Sequence, residues 1–321
     1  MEPELITIVL PAHNEETNVA VMHSEIRKVL NPTPHPVELI FVDDGSTDAT
    51  ASRVRELEAS DPLVRLIRFS RNFGQQAALL AGLRAARGAA VITMDCDLQH
   101  PPQYLADMVR AWEQGAKIVQ MIRRQTEGTS WFKRATSRWF YRFIQVFSAS
   151  PVVKHAADYQ LLDRQIVGHL LQFGDRQPFL RGLVSWLGFP ARYIEYTAAE
   201  RRSGHSSYSL RRMLGLSLDA ITSLSSKPLR LAFYLGFSAA VLGLLYMIFA
   251  VIAYFAGKSV QGWTSLVVAV VFLGGVQLVC IGIIGEYIAR IYEHTRRVPP
   301  FIIAEEESTP PSIGEARDAG A

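Results

Sequence analysis

Two long uncharged stretches near the C-terminal end constrain this chain more than any other feature. Residues 231–256 run for 26 positions, and residues 262–285 for 24, without one Asp, Glu, Lys or Arg. A helix needs about 20 apolar residues to cross roughly 30 Å of hydrocarbon. Each stretch is long enough to do so, and a soluble core helix of that length usually shows a polar face. Two spans are therefore expected, over 229–257 and 262–288. The flanking charge sets their direction. Arg201, Arg202, Arg211, Arg212, Lys227 and Arg230 precede the first span, Arg290, Arg296 and Arg297 follow the second, and only Lys258 lies between. An excess of Lys and Arg marks the cytosolic side, so both termini are expected there. The start, Met1-Glu2-Pro3-Glu4, is acidic, and the apolar run at 5–10 is too short for a signal peptide. The expected product is a multi-pass membrane protein that carries a cytosolic domain.

The net charge of +3 is modest. Its basic residues gather beside the spans, which fits an anionic bilayer surface and excludes nucleic acid as the expected partner. The two cysteines, Cys96 and Cys280, lack metal-type spacing, and a disulfide is not expected in a reducing compartment.

Before the spans, apolar runs alternate with helical patterns. Strands are expected over 5–10, 37–42, 64–69 and 89–94. Helices are expected over 15–30, 47–58 (with Ser46 or Asp48 as N-cap) and 75–86. Such alternation predicts an α/β domain over residues 1–200, with a doubly wound, mostly parallel sheet that binds ligands at the carboxyl ends of its strands. Residues 131–147 mix aromatic residues with Arg and Lys, and residues 207–223 mix aliphatic residues with Arg, as do amphipathic helices that lie in a headgroup region or pack on their own domain. The second lies in a juxtamembrane segment, 201–228. Residues 289–321 are expected as a cytosolic tail, partly disordered, turning Glu-, Ser- and Pro-rich after Glu305.

The acids fall where ligands bind. Asp95 and Asp97 are two apart at the end of the fourth expected strand. Alternation would aim both carboxylates one way and Cys96 into the core. Two carboxylates on one face suit a hard divalent cation, Mg2+ or Mn2+, that also takes phosphate oxygens, and Gln99 adds a further oxygen. Asp43-Asp44-Gly45-Ser46 ends the second strand, where an acid reaches a ribose or base, or caps the next helix. Neither common Gly-rich phosphate loop is present, which argues against a Rossmann dehydrogenase or a P-loop enzyme.

Four ordered segments carry a resemblance. Pro11-Ala12-His13-Asn14-Glu15, Val42 through Asp48, Arg71-Asn72-Phe73-Gly74-Gln75, and Met94 through Pro102 resemble family 2 glycosyltransferases of the GT-A fold. Asp158 through Asp163, Phe179-Leu180-Arg181-Gly182, Arg201 through Tyr208, and the hairpin ending Gly285-Glu286-Tyr287 extend the likeness to the polyprenyl-phosphate glycosyltransferases. That group includes dolichol-phosphate mannose synthases and bacterial undecaprenyl-phosphate glucosyl- and aminoarabinosyltransferases.

The resemblance implies roles by position. Pro11, His13, Glu15, Val42 and Asp44 would line the nucleoside pocket, and Asp95 and Arg201 would serve the donor diphosphate. Asp95, Asp97 and Gln99 would hold the metal. Arg123, Lys133, Arg134 and Ser137 would hold the lipid phosphate. Asp97 and Asp158 would be catalytic, with orientation of Arg181 or Arg201 the other use of Asp158. The family often has Tyr where His13 stands. Gly204-His205-Ser206-Ser207-Tyr208 lacks the cation found in many members at Ser207. The implied reaction is inverting transfer of one sugar from a nucleotide-sugar, favoured as a UDP-hexose, to polyprenyl (undecaprenyl) phosphate at the bacterial inner membrane, for cell-envelope glycan modification. The donor, the acceptor and the lipid bilayer are the expected partners, and a homo-oligomer is left open. The alternatives are a GDP-mannose enzyme of the dolichol-phosphate-mannose type, a processive polysaccharide synthase and a non-enzymatic membrane scaffold. Gln177-Pro178-Phe179-Leu180-Arg181 lacks the Trp that usually follows in processive synthases.

Overall fold

The computed structural model describes residues 3–123, 156–173, 180–197, 227–255, 262–295 and 298–306. Lys133, Arg134, Ser137, Arg201 and both expected amphipathic segments lie outside these residues. The described residues form two compact units: an α/β unit up to residue 197 that resumes at Val298, and a helical unit over 227–295.

The α/β unit is built on β1 (Ile6–Ala12), β2 (Val37–Asp43), β3 (Val64–Phe69), β4 (Ala90–Thr93), β5 (Ile118–Arg123), β6 (Ala156–Asp163), β7 (Ala191–Tyr196) and β8 (Ile303–Glu306). They form one sheet in the order β7-β5-β6-β4-β1-β2-β3-β8. The central four are parallel, as are β5 and β7, whereas β6 and β8 join antiparallel. The apolar runs become strands because helices cover both faces of this centre, so no polar alternation is needed. Buried Glu38 on β2 is satisfied within the sheet: its carboxylate accepts Thr7 Oγ1 at 2.7 Å and Arg65 Nη1 at 3.0 Å.

Helices α1 (Val19–Leu30), α2 (Thr50–Ser60) and α3 (Gln75–Ala85) make the crossovers, followed by α4 (Leu105–Glu113), α5 (Arg164–Gln172) and α6 (Leu180–Trp186). Val19, Met22, Ile26 and Leu30 form the buried stripe of α1. Helix α3 is buried from Ala77 to Leu83, and its small residues allow close approach to the sheet. A Cβ on Gly82 would stand 2.1 Å from Val9 Cγ1, so a side chain there would push α3 off β1.

Three boundaries differ from expectation. The first helix starts at Val19, not at residue 15, because Glu15 N–H donates to Thr50 Oγ1 at 2.8 Å and holds the preceding residues as a loop. Ser46 is not the cap of α2. Its hydroxyl accepts Asn14 N–H at 2.9 Å, and its own N–H donates to Asp43 Oδ1 at 2.9 Å. The helix begins later, where Asp48 Oδ1 accepts Thr50 N–H at 3.0 Å. Strand β4 ends at Thr93, before the acidic cluster. The expected C-terminal tail includes an ordered strand, β8.

The helical unit comprises α7 (Lys227–Phe255, 29 residues) and α8 (Trp263–Thr295, 33 residues). Cys280 Sγ donates to Ala232 O at 3.3 Å and joins the two. At about 1.5 Å per residue each is longer than the hydrocarbon layer. Their surfaces expose Phe233, Phe237, Phe249, Phe272 and Leu278, an apolar area that suits membrane association rather than water.

Candidate active site

Strand order places the site. The chain builds β1, β2 and β3 outward, then returns to set β4 on the other side of β1. This reversal opens a crevice at the carboxyl ends of β1 and β4. His13 follows β1, Asp44 follows β2, and Asp95 follows β4.

Pro11 and Val42 are register partners at the ends of β1 and β2, and Asp44 N–H continues the ladder to Ala12 O at 2.9 Å. Buried Asp44 is fully engaged: Oδ1 accepts Phe73 N–H at 2.6 Å, Oδ2 accepts Gly74 N–H at 2.9 Å, and its carbonyl lies 2.8 Å from His13 Nδ1. A carbonyl only accepts, so His13 Nδ1 carries the proton. Gly45 has φ +64°, and a Cβ there would lie 2.4 Å from the Arg71 carbonyl carbon. Glycine thus lets the 71–74 loop close onto the Asp44 turn. Asp43 Oδ2 lies 3.2 Å from Arg68 Nε, an ion-pair distance without hydrogen-bond alignment.

The acidic cluster forms a turn beyond β4. Cys96 is buried, as expected, and burial followed by the charges of Glu15, Asp97 and Asp95 pushes its thiol well above the ordinary range. The pattern survives because the turn, rather than pleating, separates the side chains. Leu98 has φ +62°, and Gln99 N–H donates to Asp97 Oδ1 at 3.0 Å, which reverses the chain. Asp95 N–H donates to His100 Nδ1 at 2.9 Å, while Asp95 Oδ1 accepts Gln75 Nε2 at 2.5 Å. Asp95, Asp97 and Gln99 are partly exposed. Among the described residues no three His, Cys, Asp or Glu side chains form a complete metal cage. Two carboxylates and an amide make an oxygen donor set, which fits a hard cation sharing its shell with phosphate.

Antiparallel pairing of β6 with β4, Thr93 opposite Gln160, carries Asp158 to the same edge. Asp158 is buried. Its Oδ2 accepts Gln76 Nε2 at 3.3 Å, and its carbonyl accepts Thr93 Oγ1 at 2.7 Å. Gln76 Oε1 also accepts Leu180 N–H at 3.3 Å, at the start of α6. Below this edge Tyr159 OH donates to Pro101 O at 3.0 Å, and burial raises its phenol far above the ordinary value.

Three consecutive residues therefore hold three acids from different strand ends: Gly74 binds Asp44, Gln75 binds Asp95, and Gln76 binds Asp158. They stand at the N-terminus of α3, whose free N–H groups and dipole favour negative charge. Gln75 ends the Arg71–Gln75 segment of the family resemblance, which implies no role for either glutamine. The available signal was two adjacent amides opening an otherwise Ala- and Leu-rich helix. Glu15 Oε2 accepts Asn18 Nδ2 at 2.5 Å in the loop between β1 and α1. Arg123 ends β5, exposed, opposite Tyr196 of β7.

Comparison with known proteins gives two matched regions. The profile of glycosyl transferase family 2 matches residues 7–170, and that of the GtrB C-terminal hairpin matches residues 227–291. The chain is 39% identical over 305 residues to the bactoprenol glucosyl transferase of Shigella phage SfV, covering 94% of this chain and 99% of that one. It is 38% identical over 298 residues to YkcC, an uncharacterized glycosyltransferase of Bacillus subtilis strain 168, covering 92% of each. Among solved structures it is similar to glucosyl-3-phosphoglycerate synthase from Mycobacterium tuberculosis in complex with Mn2+, UDP-glucose and phosphoglyceric acid. That likeness has a TM-score of 0.46 and 21% identity, over 68% of this chain and 78% of the other.

Proposed function

The chain belongs to glycosyl transferase family 2, and from that premise we propose that it moves one hexose from a nucleotide-sugar to a polyprenyl phosphate held at a membrane surface. The observation that carries this reading is the gathering of Asp44, Asp95 and Asp158 at the N-terminus of α3, in a chain that also bears two apolar helices. The relatives named bactoprenol glucosyl transferases support a glucosyl donor and a polyprenol-based acceptor. UDP-glucose is the favoured donor and undecaprenyl phosphate the favoured acceptor, with the catalytic unit and both termini on the cytosolic side of a bacterial inner membrane.

The chemistry follows from the acceptor. A phosphomonoester has a second pKa of about 6, so it is mostly dianionic at neutral pH and already nucleophilic. The residues have to align it and neutralise charge. Pro11, His13, Glu15, Val42 and Asp44 would border the nucleoside, with Asp44 fixed by the 73–74 backbone. Asp95, Asp97 and Gln99 would hold Mg2+ or Mn2+, which as a Lewis acid supplies charge stabilisation to the departing diphosphate. Asp158, set by Gln76, would face the acceptor side, where Arg123, Lys133, Arg134 and Ser137 would meet the lipid phosphate and Arg201 the diphosphate. Attack opposite the leaving nucleotide inverts the anomeric centre.

The test is a panel of UDP-glucose, other UDP-hexoses and GDP-mannose, each given with undecaprenyl phosphate and Mg2+ or Mn2+ and read by mass spectrometry. One hexosyl phospholipid is expected, formed with UDP-glucose. A GDP-mannose product would move the reading to the mannose-synthase type. A soluble polymer, or no lipid-linked sugar with any donor, would overturn it.

A further inference from the structure

The edge strand β8 follows α8 in sequence by a few residues, yet it lies in the α/β unit. It pairs antiparallel with β3, Ile67 opposite Glu306 and Phe69 opposite Ile303. The pairing runs past the end of β3, because Ser70 N–H donates to Ile302 O at 3.0 Å. Just before β8, the Phe301 ring stacks on Phe69 with centroids 4.9 Å apart and planes 10° from parallel. Arg84 lies over the Phe301 ring at 5.5 Å.

This stack leads to the acids. Buried Phe69 meets Phe73 edge-to-face at 5.7 Å and 89°. Arg71 lies 4.1 Å over the Phe73 ring, and Phe73 N–H is the donor that reaches Asp44 Oδ1. Phe301, Phe69, Phe73 and Asp44 are thus linked without a gap. Loop 70–74 receives a backbone bond from Ile302 at Ser70 and an aromatic contact at Phe73 from Phe69, on which Phe301 stacks. A four-residue edge strand is marginal alone. Arg55 secures it, with Nε 2.9 Å from Glu305 Oε1 and Nη2 2.5 Å from Oε2.

We infer that Phe301 is a positioning residue for the donor site, acting through Phe69 and Phe73 on the loop whose N–H groups hold Asp44. A residue beyond the second apolar helix thereby completes the support of the nucleotide pocket. The inference rests on the reading of Asp44 as part of that pocket. It assigns Phe301 an effect on donor affinity, separate from metal binding and from the acceptor.

The experiment uses the full-length protein in nanodiscs and measures UDP binding with Mg2+ by calorimetry, alongside steady-state kinetics. Phe301→Ala should weaken UDP binding about three- to tenfold, the loss of one good aromatic pair, and raise the donor KM to match. The kcat and the acceptor KM should stay within about twofold. Phe301→Tyr keeps the ring and should restore affinity. Glu305→Arg breaks the anchor without touching the stack and should weaken UDP binding in the same sense, with recovery on adding Arg55→Glu. Unchanged UDP affinity in Phe301→Ala would overturn the inference, as would equal losses in donor KM, acceptor KM and kcat. Asp44→Asn separates the premise: if it leaves UDP affinity intact, the pocket reading fails; if it weakens binding while Phe301→Ala does not, the inference alone fails.

Discussion

His100 Nδ1 accepts the Asp95 backbone N–H at 2.9 Å. An N–H can only donate, so this nitrogen is unprotonated and the ring's hydrogen sits on Nε2. Asp95 Oδ2 also approaches Nδ1, at 3.7 Å, but two acceptors facing each other do not make an ion pair. The ring is buried, stacked on Tyr159 at 5.0 Å and edge-on to Tyr196 at 6.0 Å. It holds the main chain of the acidic cluster after β4 has ended.

That geometry separates packing from hydrogen bonding. His100→Phe keeps the stack on Tyr159 and leaves the Asp95 N–H without this acceptor. His100→Asn places an amide oxygen near the Nδ1 position. On the proposal that Asp95 is a metal ligand, activity of the Phe variant should fall about 10- to 100-fold with a raised Mg2+ requirement, the usual effect of losing a residue that orients such a ligand. The Asn variant should retain more activity than the Phe variant. Metal titrations of initial rate would check this, and a Phe variant more active than the Asn variant would tie His100 to packing alone.

Asp97 offers the direct test of the metal reading. Its Oδ1 accepts Gln99 N–H, so the turn tolerates Asn, which keeps an acceptor and removes the charge. Asp97→Asn should fold normally and lose about 10²–10³-fold in kcat, the scale of a lost electrostatic stabiliser. EDTA should abolish turnover by the unsubstituted enzyme, and Mn2+ or Mg2+ should restore it. Full turnover in EDTA, measured by lipid-linked product, would sink the metal role.

Gln76 should matter through Asp158. Gln76→Leu removes the amide that donates to Asp158 Oδ2 and accepts Leu180 N–H. One net hydrogen bond at the reacting edge corresponds to about tenfold in rate. We expect kcat to fall by that order while the Kd for UDP stays unchanged, since Asp44 is held by Gly74 instead. Calorimetry beside single-turnover kinetics would check it, and a matching loss of UDP affinity would place Gln76 in the donor pocket.

How much of this was legible in the sequence depends on the element. The parallel centre was, because strands buried on both faces are written as nearly continuous apolar runs, such as residues 5–10 and 39–42. The acids were, because they follow those runs directly. Ser46 misled because its hydroxyl has a tertiary partner, Asn14, that local pattern does not show. Strand β8 reads Ile-Ala-Glu-Glu and carries no strand signal of its own; Arg55 and Phe69, far away in sequence, define it. Gln75 and Gln76 gain meaning only once β4 and β6 bring Asp95 and Asp158 beside α3.

Asp163 carries a prediction about pH. It ends β6 and caps α5, accepting Gln165 N–H at 3.0 Å, Trp112 Nε1 at 3.1 Å and Lys117 Nζ at 3.0 Å. Burial pushes its carboxyl up, but the Trp112 hydrogen bond, the Gln165 N–H and Lys117 together outweigh it and hold the pKa below the ordinary 3.8. A carboxyl depressed on folding binds its proton more tightly in the unfolded chain, so acid favours unfolding. Its stabilisation is full above the ordinary value and disappears as pH falls through the depressed one. Asp163→Asn keeps one oxygen for the Gln165 N–H of the cap, but puts an NH2 group where Oδ2 accepts Trp112 Nε1 and Lys117 Nζ, so both donors lose their charged partner. At pH 7 the variant should be less stable by about 1–3 kcal/mol, the range for a buried donor losing a charged partner. Thermal melts at fixed scan rate should therefore show a lower Tm at pH 7 and a gap that narrows steadily below about pH 4. A gap that stays constant from pH 7 to pH 3 would show that the lost hydrogen bond to Trp112, not the charge, supplies what Asp163 contributes beyond the cap.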